Sequence, residues 1–123
     1  MRTREISRDE WKPFLDQLSR VHLGQKVRVE ILSDGVGVRT EARNLPLLGI
    51  TTDHDGGNRD LIEVILGDSP DAHLTHAVEE PTWVHAAEDD HGLSAVSIVA
   101  ADGSKTVVHF ARPASANTPQ AFA

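Results

Sequence analysis

The apolar residues of this 123-residue chain change their spacing once, at Gly24, and that change restricts the fold more than any other feature. Before it, Trp11, Phe14, Leu15, Leu18 and His22 recur at i, i+3, i+4, i+7 and i+11, one stripe of an α-helix. Ser7 and Glu10 have the spacing of a capping box, in which hydroxyl and carboxylate each satisfy the other residue's backbone amide. Ile6 and Trp11 stand where a hydrophobic staple would hold the chain's entry to the helix. Gly24 suits the stop. Pro13 is the discordant residue: it deletes the bond back to Asp9 and crowds that carbonyl, so a bent or loosened first turn is expected.

After Gly24 the period falls to two. Val27, Val29 and Ile31 alternate with Lys26, Arg28 and Glu30, a strand with one wet face. Ser33-Asp34-Gly35 then turns the chain into a second strand from Val36 to Ala42. The run Leu45 to Ile50 is apolar but interrupted by Pro46, which cannot donate to a ladder and belongs at an edge or a strand start. A loop is expected at His54-Asp55-Gly56-Gly57-Asn58, followed by the most apolar strand, Leu61 to Leu66. The segment His73 to Val78 fits a short strand or an irregular crossover, and Thr82 to Ala87 fits a strand. Leu93 to Ala100 and Lys105 to Phe110 flank Asp102-Gly103, the strongest hairpin signal in the chain. With those two residues at the tip, Ile98 would face Val107 and Val96 would face His109, while Val99 meets Thr106 and Ala95 meets Phe110. Both faces then carry apolar groups, and a curled barrel or a dimer interface would cover them. One N-terminal helix and six to eight short strands make an α+β domain over residues 1–112, a curled, antiparallel, barrel-like sheet, with 113–123 as a flexible tail.

Charge and composition exclude several functions. Twelve Lys and Arg against 19 Asp and Glu give a net charge of −7, which repels phosphate backbones and anionic headgroups. Nucleic acid and membrane are therefore not expected as partners. The chain has no cysteine, which removes disulfides and thiolate metal sites. No apolar run approaches the roughly 18 residues that span a bilayer, and Met1-Arg2-Thr3-Arg4-Glu5 does not open a secretory signal, so cytoplasm is the expected location.

Several motifs, strung along the chain in order, resemble one family. They are Arg4-Glu5-Ile6 with Arg8-Asp9-Glu10-Trp11 and Phe14-Leu15, then Leu45-Pro46-Leu47 with Gly49-Ile50, then His73-Leu74-Thr75-His76 with Pro81, and the Asp102-Gly103 hairpin. Over about residues 1–112 the chain is similar to an uncharacterised bacterial family, the domain of unknown function 5335. The resemblance implies a single bacterial domain and brings no activity, cofactor or catalytic residue with it.

Chemistry has few places to be. Seven histidines without cysteine invite a metal reading, and the densest group is His73, His76 and His85, with Asp71 nearby. Three imidazoles would leave zinc an open position for catalysis. On a helix His73 and His76 would adjoin; in a strand they would point to opposite faces. Asp53-His54-Asp55-Gly56-Gly57 has some of a calcium loop's composition but not its acidic spacing, and Val64 stands where the closing Glu belongs. There is no G-x-S-x-G elbow, and neither Gly-rich stretch leads into a helix that could cradle phosphate. Trp83 and His85 share one face of their strand, where ring and imidazole could hold a small-molecule ligand; the plainer expectation packs Trp83 under the helix beside Trp11. Two functions follow. One is a non-catalytic interaction module that pairs with itself, as a homodimer, or with another protein through a sheet face. The other is a small metal- or ligand-binding protein, or enzyme, using the histidines. No motif specifies a cofactor.

Overall fold

The computed structural model describes residues 2–54, 60–69 and 71–111. It has one short α-helix, α1 (Trp11–Val21), and eight strands: β1 (Arg2–Ile6), β2 (Lys26–Ser33), β3 (Gly37–His54), β4 (Asp60–Ser69), β5 (Ala72–Glu79), β6 (Pro81–Asp89), β7 (Gly92–Ala100) and β8 (Lys105–Phe110). They form one antiparallel sheet in the order β1-β6-β7-β8-β2-β3-β4-β5. The fold is mostly β, and the sheet is not closed: β1 and β5 remain as edges, which corrects the expectation of a barrel. The loop expected at residues 54–58 and the tail expected at 113–123 fall, from residue 55 on, outside the described residues.

The first strand was not legible as one. Only Ile6 of β1 is buried, so Arg2 to Glu5 show no alternation to read. Pairing with β6 holds them, helped by Arg4 beside Glu88 at 3.6 Å.

The helical stripe is where the spacing puts it: Trp11, Leu15 and Leu18 are all buried. The capping box is not formed. Residues Arg8–Glu10 wind as a tighter 3-10 turn, and the Glu10 amide donates to the Ser7 carbonyl at 2.8 Å instead of to the Ser7 hydroxyl. Because α1 starts at Trp11, Pro13 lies in its first turn, where a missing N–H costs no helical bond. Ile6 and Trp11 do pack together in the core, and the Trp11 indole N–H donates to the Ile6 carbonyl at 3.0 Å. Gly24, with φ at +85°, turns the chain away from the helix.

The two segments expected around Pro46 are a single long strand, β3. Its first half pairs with β2 as far as Lys26 opposite Pro46, and its second half pairs with β4 from Leu47 onward. The change of partner falls where the proline has no N–H to give. Asn44, at φ +56°, forms a bulge there, since Val27 faces Leu45 but Val29 faces Ala42. The second half of β3 therefore has no strand on its β2 side. The helix takes that place: the Ser19 hydroxyl accepts from the Ile50 amide at 2.8 Å and lies 2.8 and 3.1 Å from the Leu15 and Ile50 carbonyls. The Leu47 amide donates to the Gln25 carbonyl and the Leu47 carbonyl accepts from Gly24.

The β7–β8 hairpin corrects the expected register by one residue. The Gly103 amide donates to the Ala100 carbonyl and the Ala100 amide to the Ser104 carbonyl, both at 2.9 Å, with Gly103 at φ +91°. Asp102 and Gly103 thus end a turn that begins at Ala100, the three-residue type with a glycine bulge. Ile98 faces Thr106 and Val96 faces Val108. A one-residue shift changes which side chains share a face. Here Val96, Ile98, Thr106, Val108 and Phe110 all turn into the core, and Ala95, Ser97, Val99, Val107 and His109 turn out. The hairpin has one buried and one outer face, not two covered ones.

Candidate functional site

The three histidines singled out from sequence are not brought together. His73 and His76 lie three residues apart on β5 and so face opposite ways. His73 lies beside Leu23, Leu48 and Ile65. His85 sits on β6, on the outer face, between Glu5 of β1 and Ser97 of β7. Among the described residues no group of three His, Asp or Glu side chains could hold a metal ion. The acidic loop considered for calcium falls largely on residues 55–59, outside the described residues.

His76 is the one with a site around it. It turns inward from β5 and its Nε2 lies 3.1 Å from the Thr106 hydroxyl of β8. Thr106 is the buried polar residue of the described core. Burial pushes the His76 imidazole below its ordinary pKa; the Glu41 carboxylate opposes that shift and the Arg39 guanidinium reinforces it. Beside this contact a cleft of about 350 Å³ opens along β5. Its wall is the consecutive run His76 to Glu79, and its floor is Ile31, Arg39, Ala100 and Ser104 from the ends of the β2–β3 and β7–β8 hairpins. Arg39 faces Ile31, so it falls in the inward phase of β3, and it pairs with Glu41 at 3.6 Å. In sequence Arg39 alternates with Val38 and Thr40 as an ordinary polar position, so no local signal marked it. Thr106 was hidden by the hairpin register.

Trp83 does not pack beside Trp11. It stands on the outer face with 49% of its surface exposed, whereas Trp11 is 1% exposed in the core. Its ring stacks over His85, with centroids 6.4 Å apart and planes 19° from parallel. The ladder extends this face across three strands in rows: Trp83, Val99 and Lys105; His85, Ser97 and Val107; Ala87, Ala95 and His109. These nine residues include no Asp, Glu or Arg, and one Lys at a corner. Charge begins at the margins, with Glu5 on β1 and Glu30 on β2, where Glu30 meets Arg28 and His109.

These features define a mostly-β domain with one short helix, a cleft beside the edge strand β5, and an outer face whose nine central positions hold no carboxylate. The chain belongs to the family of unknown function DUF5335, whose model matches residues 2–119, beyond residue 112 where the resemblance was expected to stop. It is similar to an uncharacterized protein of the bacterium Aquifex aeolicus (strain VF5), 24% identical over 108 residues, covering 88% of this chain and 91% of that protein. No solved structure matches it. Among the described residues, no helix is long and apolar enough to cross a membrane.

Proposed function

We propose that this mostly-β domain is a non-catalytic interaction module of the bacterial cytoplasm that pairs with a second copy of itself through the outer face of β6, β7 and β8. One observation carries the reading: in a chain of net charge −7, this face holds Trp83, Val99, Val107, Ala87 and Ala95 without a carboxylate. An uncharged centre inside a charged rim is the usual anatomy of a protein interface. An exposed, rigid indole is a typical anchor in such contacts. Three strands and their flanks present a face roughly 25 Å by 20 Å, near the lower limit for a stable contact, so the dimer is weak. A small ligand stacked on Trp83 and His85 is the second reading, supported by the parallel rings.

Size-exclusion chromatography with light scattering tests the first. The wild-type protein is expected to reach the mass of two chains at tens to hundreds of micromolar, and Ser97→Lys, which puts a charge at the centre of the face between His85 and Val107, to stay at one. A wild-type mass of one chain throughout that range would refute it.

A further inference from the structure

We infer that the cavity where β3 bulges against β2 is a binding site for a small organic monocarboxylate, held by Arg28 and Arg43 over Val27 and Phe110. The inference goes beyond pairing through the outer face and begins from the bulge. In a regular strand, successive side chains point to opposite faces. Between Val29, which faces Ala42, and Val27, which faces Leu45, β3 has one residue more than β2. Arg43 and Asn44 together therefore stand opposite Arg28. Asn44 takes up the extra length at φ +56°, a conformation that asparagine adopts more readily than most residues. As a result two consecutive residues, Arg43 and Asn44, line one cavity of about 270 Å³.

The other walls set cations over apolar ground. Arg28 and His109, partners across β2 and β8, form the polar side, and the buried Val27 and Phe110 lie beside them. The His22 imidazole packs on the Phe110 ring, with centroids 4.7 Å apart. Glu30 fixes the polar side: one carboxylate oxygen lies 3.2 Å from Arg28 Nε and the other 3.0 Å from His109 Nε2. Because Glu30 takes Nε, the terminal nitrogens of Arg28 remain to meet another acceptor. Among the described residues no carboxylate pairs with Arg43.

Charge then selects the ligand. Two guanidiniums and the Glu30 carboxylate leave one positive charge at the cavity, in a chain whose total is −7. A planar monoanion matches it, since guanidinium and carboxylate meet through paired N–H···O bonds. A phosphate monoester, at about −1.5 to −2 near neutral pH, is repelled by Glu30 and by the field of the whole chain, and fits less well. At about 30 Å³ for each water, the cavity has room for a molecule the size of benzoate or hexanoate and not for a nucleotide.

The test uses the full chain with benzoate and hexanoate, benzamide as the neutral shape control and inorganic phosphate as the more highly charged one. Both carboxylates are expected to give saturable amide shifts at Arg28, Arg43, Asn44 and His109, with affinities read by calorimetry. Benzamide and phosphate should bind more weakly than either. Arg43→Gln should weaken benzoate about ten-fold or more, and Arg43→Lys less, since it keeps the charge and loses the fork. Arg43 is exposed, so both variants should unfold at the wild-type midpoint. Ser97→Lys should bind benzoate as the wild type does, so that this site and the outer face stand or fall separately. Absence of saturable shifts, equal binding of benzamide, or tighter binding of phosphate would overturn the inference. So would shifts centred on Trp83 and His85, or an Arg43→Gln variant that binds like wild type.

Discussion

The second half of β3 and the whole of β5 each end a run of strands, yet their backbones are handled differently. Along β3 the missing neighbour is replaced by the helix: Ser19 meets the Ile50 amide and carbonyl, and the turn after α1 meets both backbone groups of Leu47. Along β5, among the described residues, no second strand pairs on the side away from β4. An edge sealed by side chains belongs to the core and must be satisfied internally, because an unpaired buried amide costs about 1–3 kcal/mol. An edge left in water pays nothing and stays available for pairing.

The largest expected effect breaks the sealed edge. Ser19→Ala removes the acceptor of the Ile50 N–H and leaves that amide buried without a partner. A loss of about 1–3 kcal/mol is expected in urea unfolding, with faster hydrogen exchange at Ile50 than at Val64 opposite it. Unchanged stability would mean that the hydroxyl is a bystander and that packing of Leu15 and Leu18 alone seats the helix.

How far this contrast was legible in the sequence depends on how each strand is buried. The helix and β2 were readable because Trp11, Leu15 and Leu18, then Val27, Val29 and Ile31, are buried in the phase that their geometry demands. β5 stayed ambiguous because its residues are exposed on both faces apart from His76 and Val78, so no alternation could form. The unity of β3 was hidden by Pro46, which reads as a strand breaker unless the partner strand changes at that residue. The capping box had the right letters, but a 3-10 turn used the Glu10 amide first. In the candidate site His76 was singled out together with His73 and His85, which the fold sets on the opposite face of β5 and on β6. Arg39 and Thr106 become its neighbours only because β5 crosses over the hairpin ends, a non-local fact that no local pattern encodes.

A smaller effect sharpens the comparison from the same side. Two residues beyond Ile50, the Thr52 hydroxyl is buried with no hydrogen-bond partner, the one such side chain among the described residues. Thr52→Val keeps the shape and removes the unsatisfied group, so it should raise stability by about 1 kcal/mol. Additivity with Ser19→Ala is the informative readout. If the double variant departs from the sum of the singles, the two positions belong to one hydrogen-bonding unit, and the seal extends further along β3 than its visible bonds.

The smallest expected effect concerns the open edge, which is tied across the interior by His76 and Thr106. Burial lowers the His76 pKa in the folded chain below its value near 6.5 in the unfolded one, against Glu41 and with Arg39, so the unfolded chain binds more protons on acidification. Stability is therefore whole above the unfolded value and declines as pH falls from it toward the folded value. His76→Gln has no proton to take up. Between pH 7.5 and 5 the wild type should lose more stability than the variant, with the other histidines cancelling in the difference. Parallel curves would sink this, and would mean that His76 rides on β5 without tying it down. If the curves diverge, the His76 imidazole helps to hold β5, and an acid shift loosens that strand while the sealed half of β3 holds.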